Sequence, residues 1–330
     1  MVKVELFECL DVVERDAAGA LSRERQPVLF DRLSWYRLVE EHCPPPGKLL
    51  VLRAERDGGG RSWLFLARQG HRASAYANWY TLEFESIYDD GDAGSPDLDQ
   101  AIARELLAAK IAELDLYPLR EAVAEPHPGW RTFPQIGGVN WVADVAGLDF
   151  SQYWARRPAT LRNTAERKAR AANFGTCIFS DFDPNAWSDY EEVYRSSWKP
   201  EEGSPAFLRA LAEQEGRAGT LRLGIARKEG RPVAAQFWLV ENGRATIHKL
   251  AHAQDAKALS PGTVLSMAMF RHVIDVDRVA LIDFGLGDEP YKADWMDRRL
   301  LVGRLRAYRQ GSLAGTLAAA RALVRRLRND

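Results

Sequence analysis

The sequence predicts an α/β (α+β) fold built from two tandem modules, each a mostly antiparallel mixed sheet flanked by helices. Two observations predict this fold. The chain has 330 residues, which is enough for two domains, and strand-like and helix-like patterns follow a similar order in both halves. We place the first module at residues 1–150, the second at 151–310, and a basic amphipathic helix at 311–330.

The second half has the clearer pattern of alternating strands and helices. Asn-Gly at the centre of 241–244 is typical of a tight hairpin turn between two strands. The short apolar run at 278–285 is typical of a strand buried on both faces. The elements predicted there are strands at 220–228, 233–240, 245–253, 278–285 and 301–309, and helices at 186–198, 204–215, 263–275 and around 289–299.

The first half repeats this order with a weaker pattern. Residues 49–56 and 61–69 are predicted to form a hairpin around a glycine-rich turn. Residues 96–114 are predicted to form an amphipathic helix, with Ser95 as its N-cap and Pro96 in its first turn. A short strand around 114–119 follows the helix.

Charge and cysteine content exclude several classes of protein. Lys and Arg number 45 and Asp and Glu number 46, so the overall field favours neither DNA nor an anionic membrane. The three cysteines are far apart and lack zinc-ligand spacing, and we expect no metal and no disulfide framework. The N-terminus has acids where a signal peptide needs an apolar run, which predicts a cytoplasmic protein.

The loop that enters the predicted helix at 263–275 is a candidate anion site. Ser260, Gly262 and Thr263 lie where the unpaired N–H groups and the dipole of a helix meet. Gly262 has no Cβ, so a ligand can approach the backbone closely. The alternative is an ordinary helix start, with Ser260 as the cap and nothing bound.

A lysine on an apolar strand face is a second candidate feature. Lys249 shares a face of the predicted strand 245–253 with apolar residues, and a lysine there is costly unless it meets an anion. The alternative is an edge strand with a solvated Lys249. His248 and His252 lie on the opposite face, at a spacing that is not a metal site on a strand.

The segment 282–296 is a third candidate, because an apolar strand ends there in Asp283 and two glycines. Polar side chains at such strand ends often carry function in α/β folds. Asp288, Tyr291 and Lys292 follow, and Tyr291 shares a helix face with Trp295 by its spacing of four. The alternative is a structural Asp283 and an aromatic pair that belongs to the core.

Two basic segments have a less specific pattern. The helix predicted around 161–170 carries three arginines and a lysine, which would contact phosphates or form a solvated face. The turn that contains Trp198 and Lys199 is open to the same two interpretations.

Five motifs in order resemble a known family. They are PVAAQFW (232–238), HKLA (248–251), LSPGT (259–263), DFGLGD (283–288) and YKADWM (291–296). Together they resemble the CelD-type acetyltransferase-like group of the GNAT superfamily, which is related to the FemAB-type aminoacyltransferases. The resemblance covers about residues 150–310.

The resemblance implies that the co-substrate is acyl-CoA, for example acetyl-CoA. The superfamily's pyrophosphate loop corresponds to residues 259–263, although this chain keeps only one glycine of the expected pattern. Tyr291 and Lys292 resemble an aromatic–lysine pair in FemAB-type enzymes, where the lysine meets substrate phosphate or a developing oxyanion.

These observations predict transfer of an acyl group to an amine or sugar acceptor, such as an exopolysaccharide or cell-envelope precursor. The donor is expected between strands 245–253 and 278–285. The candidate residues, by role, are donor-binding Lys249, Ala251, Ser260, Gly262 and Thr263; catalytic Asp283 or Asp288 as base, Tyr291 as acid and Lys292 for developing charge; and acceptor-binding Trp198, Lys199, Gln236 and Trp295.

Two other functions are left open by the sequence. One is a FemAB-like transferase that takes its acyl group from aminoacyl-tRNA, which the basic segments favour and the balanced charge disfavours. The other is a GNAT-like binding module without catalysis. The missing second glycine of the pyrophosphate loop favours this interpretation. The Arg-rich C-terminal helix would allow weak contact with an anionic membrane surface, although docking on its own domain is the preferred interpretation.

Overall fold

The computed structural model describes residues 2–89, 95–120 and 127–329. Two compact units divide the chain: Met1–Gly138 with Leu301–Asp330, and Val139–Leu300. The chain leaves the first unit within one long strand and returns to it within another. The predicted boundaries at 150 and 310 do not coincide with these units, and the assignment of functional domains to them stays a prediction.

The first unit contains a mixed, mostly antiparallel sheet. Its strand order is β1-β2-β3-β4-β6-β13-β7, with β5 beside β3, and only β4 and β6 are assigned as a parallel pair. The described elements are β1 (Val2–Phe7), α1 (Leu10–Ala17), α2 (Leu33–His42), β2 (Lys48–Arg56), β3 (Arg61–Gln69), β4 (Arg72–Ala75), β5 (Ile87–Tyr88), α3 (Pro96–Ala108), β6 (Glu113–Leu119), β7 (Trp130–Asp144), β13 (Arg298–Arg309) and α10 (Leu313–Asn329).

The predicted hairpin of the first half is present as β2 and β3, but the predicted helix is shorter than expected. Helix α3 ends at Ala108 because Lys110 adopts a left-handed backbone conformation, with φ of 64°, ahead of β6. Ser95 occupies the predicted N-cap position without capping a helix amide. Its hydroxyl instead donates to Asp97 at 2.8 Å and accepts from Arg56 at 2.5 Å.

The second unit contains a sheet of order β7-β12-β11-β10-β9-β8. All of its assigned strand pairs are antiparallel except β11 with β12. The other elements of this unit are α4 (Phe150–Ala155), α5 (Ala159–Ala172), β8 (Gly175–Phe179), α6 (Pro184–Arg195), α7 (Pro205–Arg217), β9 (Leu221–Lys228), β10 (Arg231–Glu241), β11 (Arg244–His252), α8 (Pro261–Asp275), β12 (Leu281–Leu286) and α9 (Lys292–Trp295). The predicted α/β class, with mostly antiparallel sheets flanked by helices, is confirmed.

Helices cover both faces of the second sheet. Neighbouring residues of β10 point to opposite faces, and each packs against a different helix. Trp238 packs edge-on against Phe270 of α8, with ring centroids 5.2 Å apart. Phe237, one residue earlier, packs edge-on against Trp187 of α6 at 5.9 Å. All four aromatic side chains are at most 1% exposed, so α8 is held firmly against the sheet.

Replacing Gly216 by Ala should destabilise the protein, although Ala is the better helix former by about 1 kcal/mol. An added Cβ in α7 would lie 2.6 Å from the backbone nitrogen of Phe182, which cannot rotate away. We expect urea unfolding to show a loss of about 1–3 kcal/mol. Gly175→Ala is the control, because a Cβ there meets nothing within 4 Å. Equal stability of the Gly216 variant and the wild type would contradict this packing.

Candidate functional site

The two parallel strands of the second unit separate soon after they pair. Strands β11 and β12 form only three residue pairs, from Arg244 opposite Leu281 to Thr246 opposite Asp283. Beyond that point β11 follows β10 as far as His252, while β12 follows β7. Backbone N–H and C=O groups need partners, so the fork between the strands offers its edges to a ligand. This is the slot in which the sequence predicts an acyl donor.

Helix α8 begins just beyond the end of β11. Its N-cap, Ser260, has a left-handed conformation with φ of 55°, and its hydroxyl makes no capping bond. Gly262 and Thr263 are half-buried in the first turn. A Cβ on Gly262 would lie 3.2 Å from Cδ2 of His252, so only a glycine fits beside the imidazole without displacing it. The helix start has the oriented N–H groups that bind anions.

A cation lies beside the same loop. Lys168 of α5 donates from Nζ to the carbonyl oxygen of Ala258 at 2.6 Å, and α5 packs on α8. Part of the basic helix predicted from the sequence therefore faces the loop that precedes α8, where a positive charge favours an anionic ligand.

Gln236 fixes the first turn of α8 to the sheet. Its side chain is 1% exposed, and Nε2 donates to the Ser266 hydroxyl at 2.7 Å and the Gly262 carbonyl at 3.3 Å. Its Oε1 accepts the indole N–H of Trp238 at 2.9 Å. Because these contacts occupy its polar atoms, the predicted acceptor-binding role does not fit, and Gln236 is a positioning residue.

Five residues at the end of α6, in the loop after it and on β11 form what we call the lysine–aromatic cluster: Tyr194, Trp198, Lys199, Glu202 and Lys249. Lys249 pairs with Glu202 at 3.0 Å. Nζ of Lys199 lies 5.9 Å from the ring centroid of Trp198 and 6.0 Å from that of Tyr194. Trp198 is half-exposed and also packs on His252, with ring centroids 4.3 Å apart. The cluster thus adjoins the residue that contacts Gly262.

Lys199 forms no ion pair with any residue that the structure describes. Burial lowers the pKa of Lys199 to about 8. The positive charges of Lys249 and Lys292 also lower this pKa, whereas the negative charges of Glu202 and Glu289 raise it. A half-buried ammonium beside two other lysines is unfavourable without an anion. The position of the predicted residue Lys199 therefore suits contact with a carboxylate or phosphate of a ligand.

Lys292 is placed differently from its predicted role. It is 3% exposed, and its Nζ donates to the carbonyl oxygens of Gly285, Leu286 and Gly287 at 3.0–3.3 Å. It also pairs with Glu289 at 3.0 Å. With its donors used in this way, Lys292 shapes the loop after β12 and is not available to a phosphate.

Tyr291 and Asp288 lie at the surface near this loop. Tyr291 is 44% exposed and packs edge-on against Phe284 at 5.6 Å. Burial of part of the ring raises the pKa of Tyr291 to about 12, so its hydroxyl is protonated at neutral pH. Asp288 accepts from Arg299 at 2.6 Å and from the indole of Trp141 at 2.9 Å, and the Arg299 bond lowers its pKa.

Asp283 lies at the point where the strands separate and has the contacts of a structural residue. Its side chain is 1% exposed and pairs with Arg244 of β11. It also accepts from Asn140 of β7 at 3.0 Å and from the Gly285 amide at 2.7 Å. One carboxylate thereby ties three adjacent strands together, which argues against the predicted role as general base.

Trp295 and Ala251 complete the predicted set, and both are buried. Trp295 is 5% exposed and packs on Phe270, with ring centroids 4.8 Å apart, so it belongs to the core and not to an acceptor site. Ala251 is 1% exposed and lies opposite Ala235 in the β10–β11 ladder, on the strand that borders the fork.

Two residues of the cluster were missed by sequence reasoning. The helix predicted at 186–198 contains Tyr194, but no local pattern indicates a role for Tyr194 or Glu202. Glu202 binds both Lys249 and the Tyr194 hydroxyl, and burial together with this contact raises the Tyr194 pKa to about 12. The available signal was the sequence SWKPEEG (197–203), which places a Trp, a Lys and two Glu in one short loop.

The described residues contain neither a cluster of metal ligands nor a helix able to span a membrane. Within residues 2–89, 95–120 and 127–329, no group of three or more His, Cys, Asp and Glu is arranged to hold a metal ion. No helix in these ranges is long and apolar enough to cross a membrane.

Asp283→Asn should lower the free energy of unfolding by about 2–4 kcal/mol, because a buried amide cannot accept all the hydrogen bonds that the carboxylate receives from Arg244, Asn140 and the Gly285 amide. Urea unfolding measures this loss. Asp288→Asn is the matched control at an exposed pair and should stay near the wild type. If Asp283→Asn keeps full stability but loses turnover, Asp283 acts in the chemistry and not in the fold.

Comparison with known proteins agrees with this geometry. Residues 147–293 match the family described as Acetyltransferase (GNAT) domain. No curated protein sequence matches the chain. Among solved structures, FemX has a TM-score of 0.59 and 8% identity, covering 92% of this chain and 96% of its own.

Two further structures are similar over nearly their whole length. One is a C-terminal domain from Agrobacterium fabrum attributed to a lysylphosphatidylglycerol synthetase, with a TM-score of 0.58, 16% identity and coverage of 96% and 97%. The other is L-PGS from Bacillus licheniformis, with a TM-score of 0.52, 15% identity and coverage of 88% and 94%. At these identities the likeness concerns the fold. Residues 147–293 thus match a GNAT acetyltransferase family, and the fold of the chain is similar to that of FemX.

Proposed function

We propose that this protein is an acyltransferase that moves an acyl group from acyl-CoA to an amine or sugar acceptor. The observation that carries the proposal is the fork between β11 and β12, which leads directly to the start of α8. The pyrophosphate of the donor would meet the N–H groups of Gly262 and Thr263. The acyl carbonyl would lie along β11, where a backbone N–H near Ala251 would stabilise the oxyanion.

The acceptor would bind at the lysine–aromatic cluster. Trp198 offers an exposed aromatic face, and Lys199 offers a charge that has no counterion within residues 2–89, 95–120 and 127–329. Sugars stack on aromatic rings, and precursors of polysaccharides and cell envelopes carry phosphates. An acceptor of this class therefore fits the cluster, and it is also the class expected of a CelD-type protein.

The chemical step needs a base and an acid. The acceptor nitrogen or oxygen attacks the thioester carbon, its proton passes to a base, and the carbon–sulfur bond breaks as the thiolate takes a proton. Tyr291 is our candidate acid, because it is half-exposed and protonated. Asp288 is the better candidate base of the two predicted carboxylates, since Asp283 is enclosed, and Asp288 would have to leave its pair with Arg299 to accept the proton.

An aminoacyl-tRNA donor is the second candidate. Two observations favour it: the fold similarity to FemX over 92% of the chain, and the basic helix α5 beside the loop before α8. A donor of this kind would need a wider cationic surface than acyl-CoA. A thermal-shift experiment that compares charged tRNA with acyl-CoA therefore distinguishes the two donors.

Thr263→Asp should separate donor binding from stability. A negative charge in the first turn of α8 stabilises the helix by about 0.3–1 kcal/mol through its dipole. The same charge repels a bound phosphate and should weaken donor binding by about tenfold or more. Thermal shift with acetyl-CoA, longer acyl-CoAs and charged tRNA measures both effects, since a donor at 100 times its Kd stabilises by about 2.7 kcal/mol.

Thr160→Asp is the matched control, because it makes the same change in the exposed first turn of α5. It should leave donor binding unchanged. Stabilisation by none of the donors would favour a binding module without acyl transfer. If the Thr263 variant binds the donor as tightly as the wild type does, the start of α8 does not contact the donor.

Lys199→Met should lower turnover by about tenfold, because the acceptor loses a charge-assisted contact, without lowering stability at pH 7. The folded pKa of about 8 lies below the usual 10.5. The buried charge is therefore destabilising below pH 8, and this penalty disappears as pH rises from 8 to 10.5. Wild type should gain stability relative to the variant over that range.

Urea unfolding at pH 7 and pH 10 measures the stability difference, and a steady-state assay measures turnover. Lys48→Met, at an exposed position in the first unit, should change neither quantity. If Lys199→Met keeps full turnover, the cluster does not contact the acceptor.

A further inference from the structure

A cavity of about 1030 Å³ lies entirely within the first unit. Helix α3 forms one wall, and β6 and β13 form another. Apolar side chains predominate in the described lining, with Ile102 and Leu106 on the helix and Leu114, Leu116 and Leu305 on the strands. A volume of this size is at the upper end of ordinary ligand sites. A cavity with these apolar walls suits the hydrocarbon part of a ligand.

The wall next to α3 is fixed by a side-chain contact. Trp130 of β7 is 5% exposed and donates from its indole nitrogen to the Ala103 carbonyl oxygen at 2.8 Å. This bond attaches the strand to the helix on one side of the cavity. The space is therefore a formed feature of the packing between these elements.

The cavity has a polar end at Asp31. This carboxylate is 17% exposed and accepts no hydrogen bond from any residue that the structure describes. Its nearest cation is Arg120, with the guanidinium nitrogen 3.9 Å away. Arg120 itself bonds to Glu83 at 2.7 Å and lies 3.7 Å from Glu85, so its charge is shared among three carboxylates.

The ionisation of Asp31 reflects this shortage of positive charge. Burial raises its pKa to about 7, and the charges of Glu83 and Glu85 add to the rise, while Arg120 and Arg32 oppose it. A largely enclosed carboxylate that accepts no hydrogen bond from the described residues is costly. A ligand cation beside it would supply a closer partner than Arg120, which is 3.9 Å away.

We infer that this cavity binds an amphipathic molecule with a hydrocarbon body and a primary ammonium head, and that the ammonium pairs with Asp31. The described lining carries three carboxylates and two guanidinium groups, so one positive charge on the ligand neutralises it. An ammonium has three donors and fits a carboxylate that accepts no hydrogen bond from the part of the chain that the structure describes. This site is independent of the proposed acyl transfer.

Calorimetric titration of the full chain with n-octylammonium and with n-octanol, both below micelle-forming concentrations, tests the inference. We expect the ammonium to bind about tenfold more tightly than the alcohol, as one charge-assisted contact requires. Each methylene added between hexyl- and octylammonium should tighten binding by about fourfold, as burial of a CH₂ implies.

Asp31→Asn should abolish the preference for the ammonium while retaining the binding of octanol. The variant is expected to fold, because the charge that it removes accepts no hydrogen bond from the described residues and lies 3.9 Å from its nearest cation. Asp115→Asn is the control, since Asp115 lies outside the cavity and pairs with Arg304 at 2.5 Å. It should retain the preference.

Three results would overturn the inference: no binding of n-octylammonium at millimolar concentration, equal affinity for the ammonium and the alcohol in the wild type, or an unchanged preference in Asp31→Asn. The first would show that the cavity takes no such ligand. The other two would show that the carboxylate is not its anchor.

Discussion

The candidate site depends on one constraint, which is that β11 and β12 pair over three residues and then separate. A fork between strands exposes backbone groups, so its closed end must be held firmly. Asp283 does this by binding Arg244 of β11 and Asn140 of β7 from its place on β12. Lys292 then holds the carbonyl groups of the loop that follows β12. The geometry of the fork thus rests on two buried charged side chains.

A charged residue at a strand end can therefore shape the site without contacting a ligand. Burial makes Asp283 and Lys292 expensive unless all their polar atoms are bonded, and the structure bonds them. Lys199 is the opposite case, because it is half-buried beside other lysines and has no counterion among the described residues. The distinction between a completed and an incomplete set of contacts separates residues that shape the site from those able to receive a ligand.

Gln236 and Gly262 show how the sheet and helix α8 fix the other side of the fork. The amide of Gln236 reaches from β10 to the first turn of α8, and His252 of β11 fills the space in which a side chain at position 262 would lie. The start of the helix is therefore positioned by two neighbouring strands. An anion bound there would lie beside Trp198, which packs on the same histidine.

Local patterns were sufficient to predict the fold class, the strands of the second half and the segments that form the fork, because hydrophobic period, turn residues and motif order are local properties. They also indicated Lys199 and Trp198. The helix predicted around 289–299 is shorter than expected, because it ends at Trp295 and β13 begins at Arg298. The enclosure of Asp283, Lys292, Gln236 and Trp295, and the contacts that join Tyr194 and Glu202 to Lys249, are visible only in the folded chain. The physical reason is that burial and ion pairing depend on residues distant in the chain, such as Asn140 with Asp283 or Glu202 with Lys249, and no local pattern records such contacts.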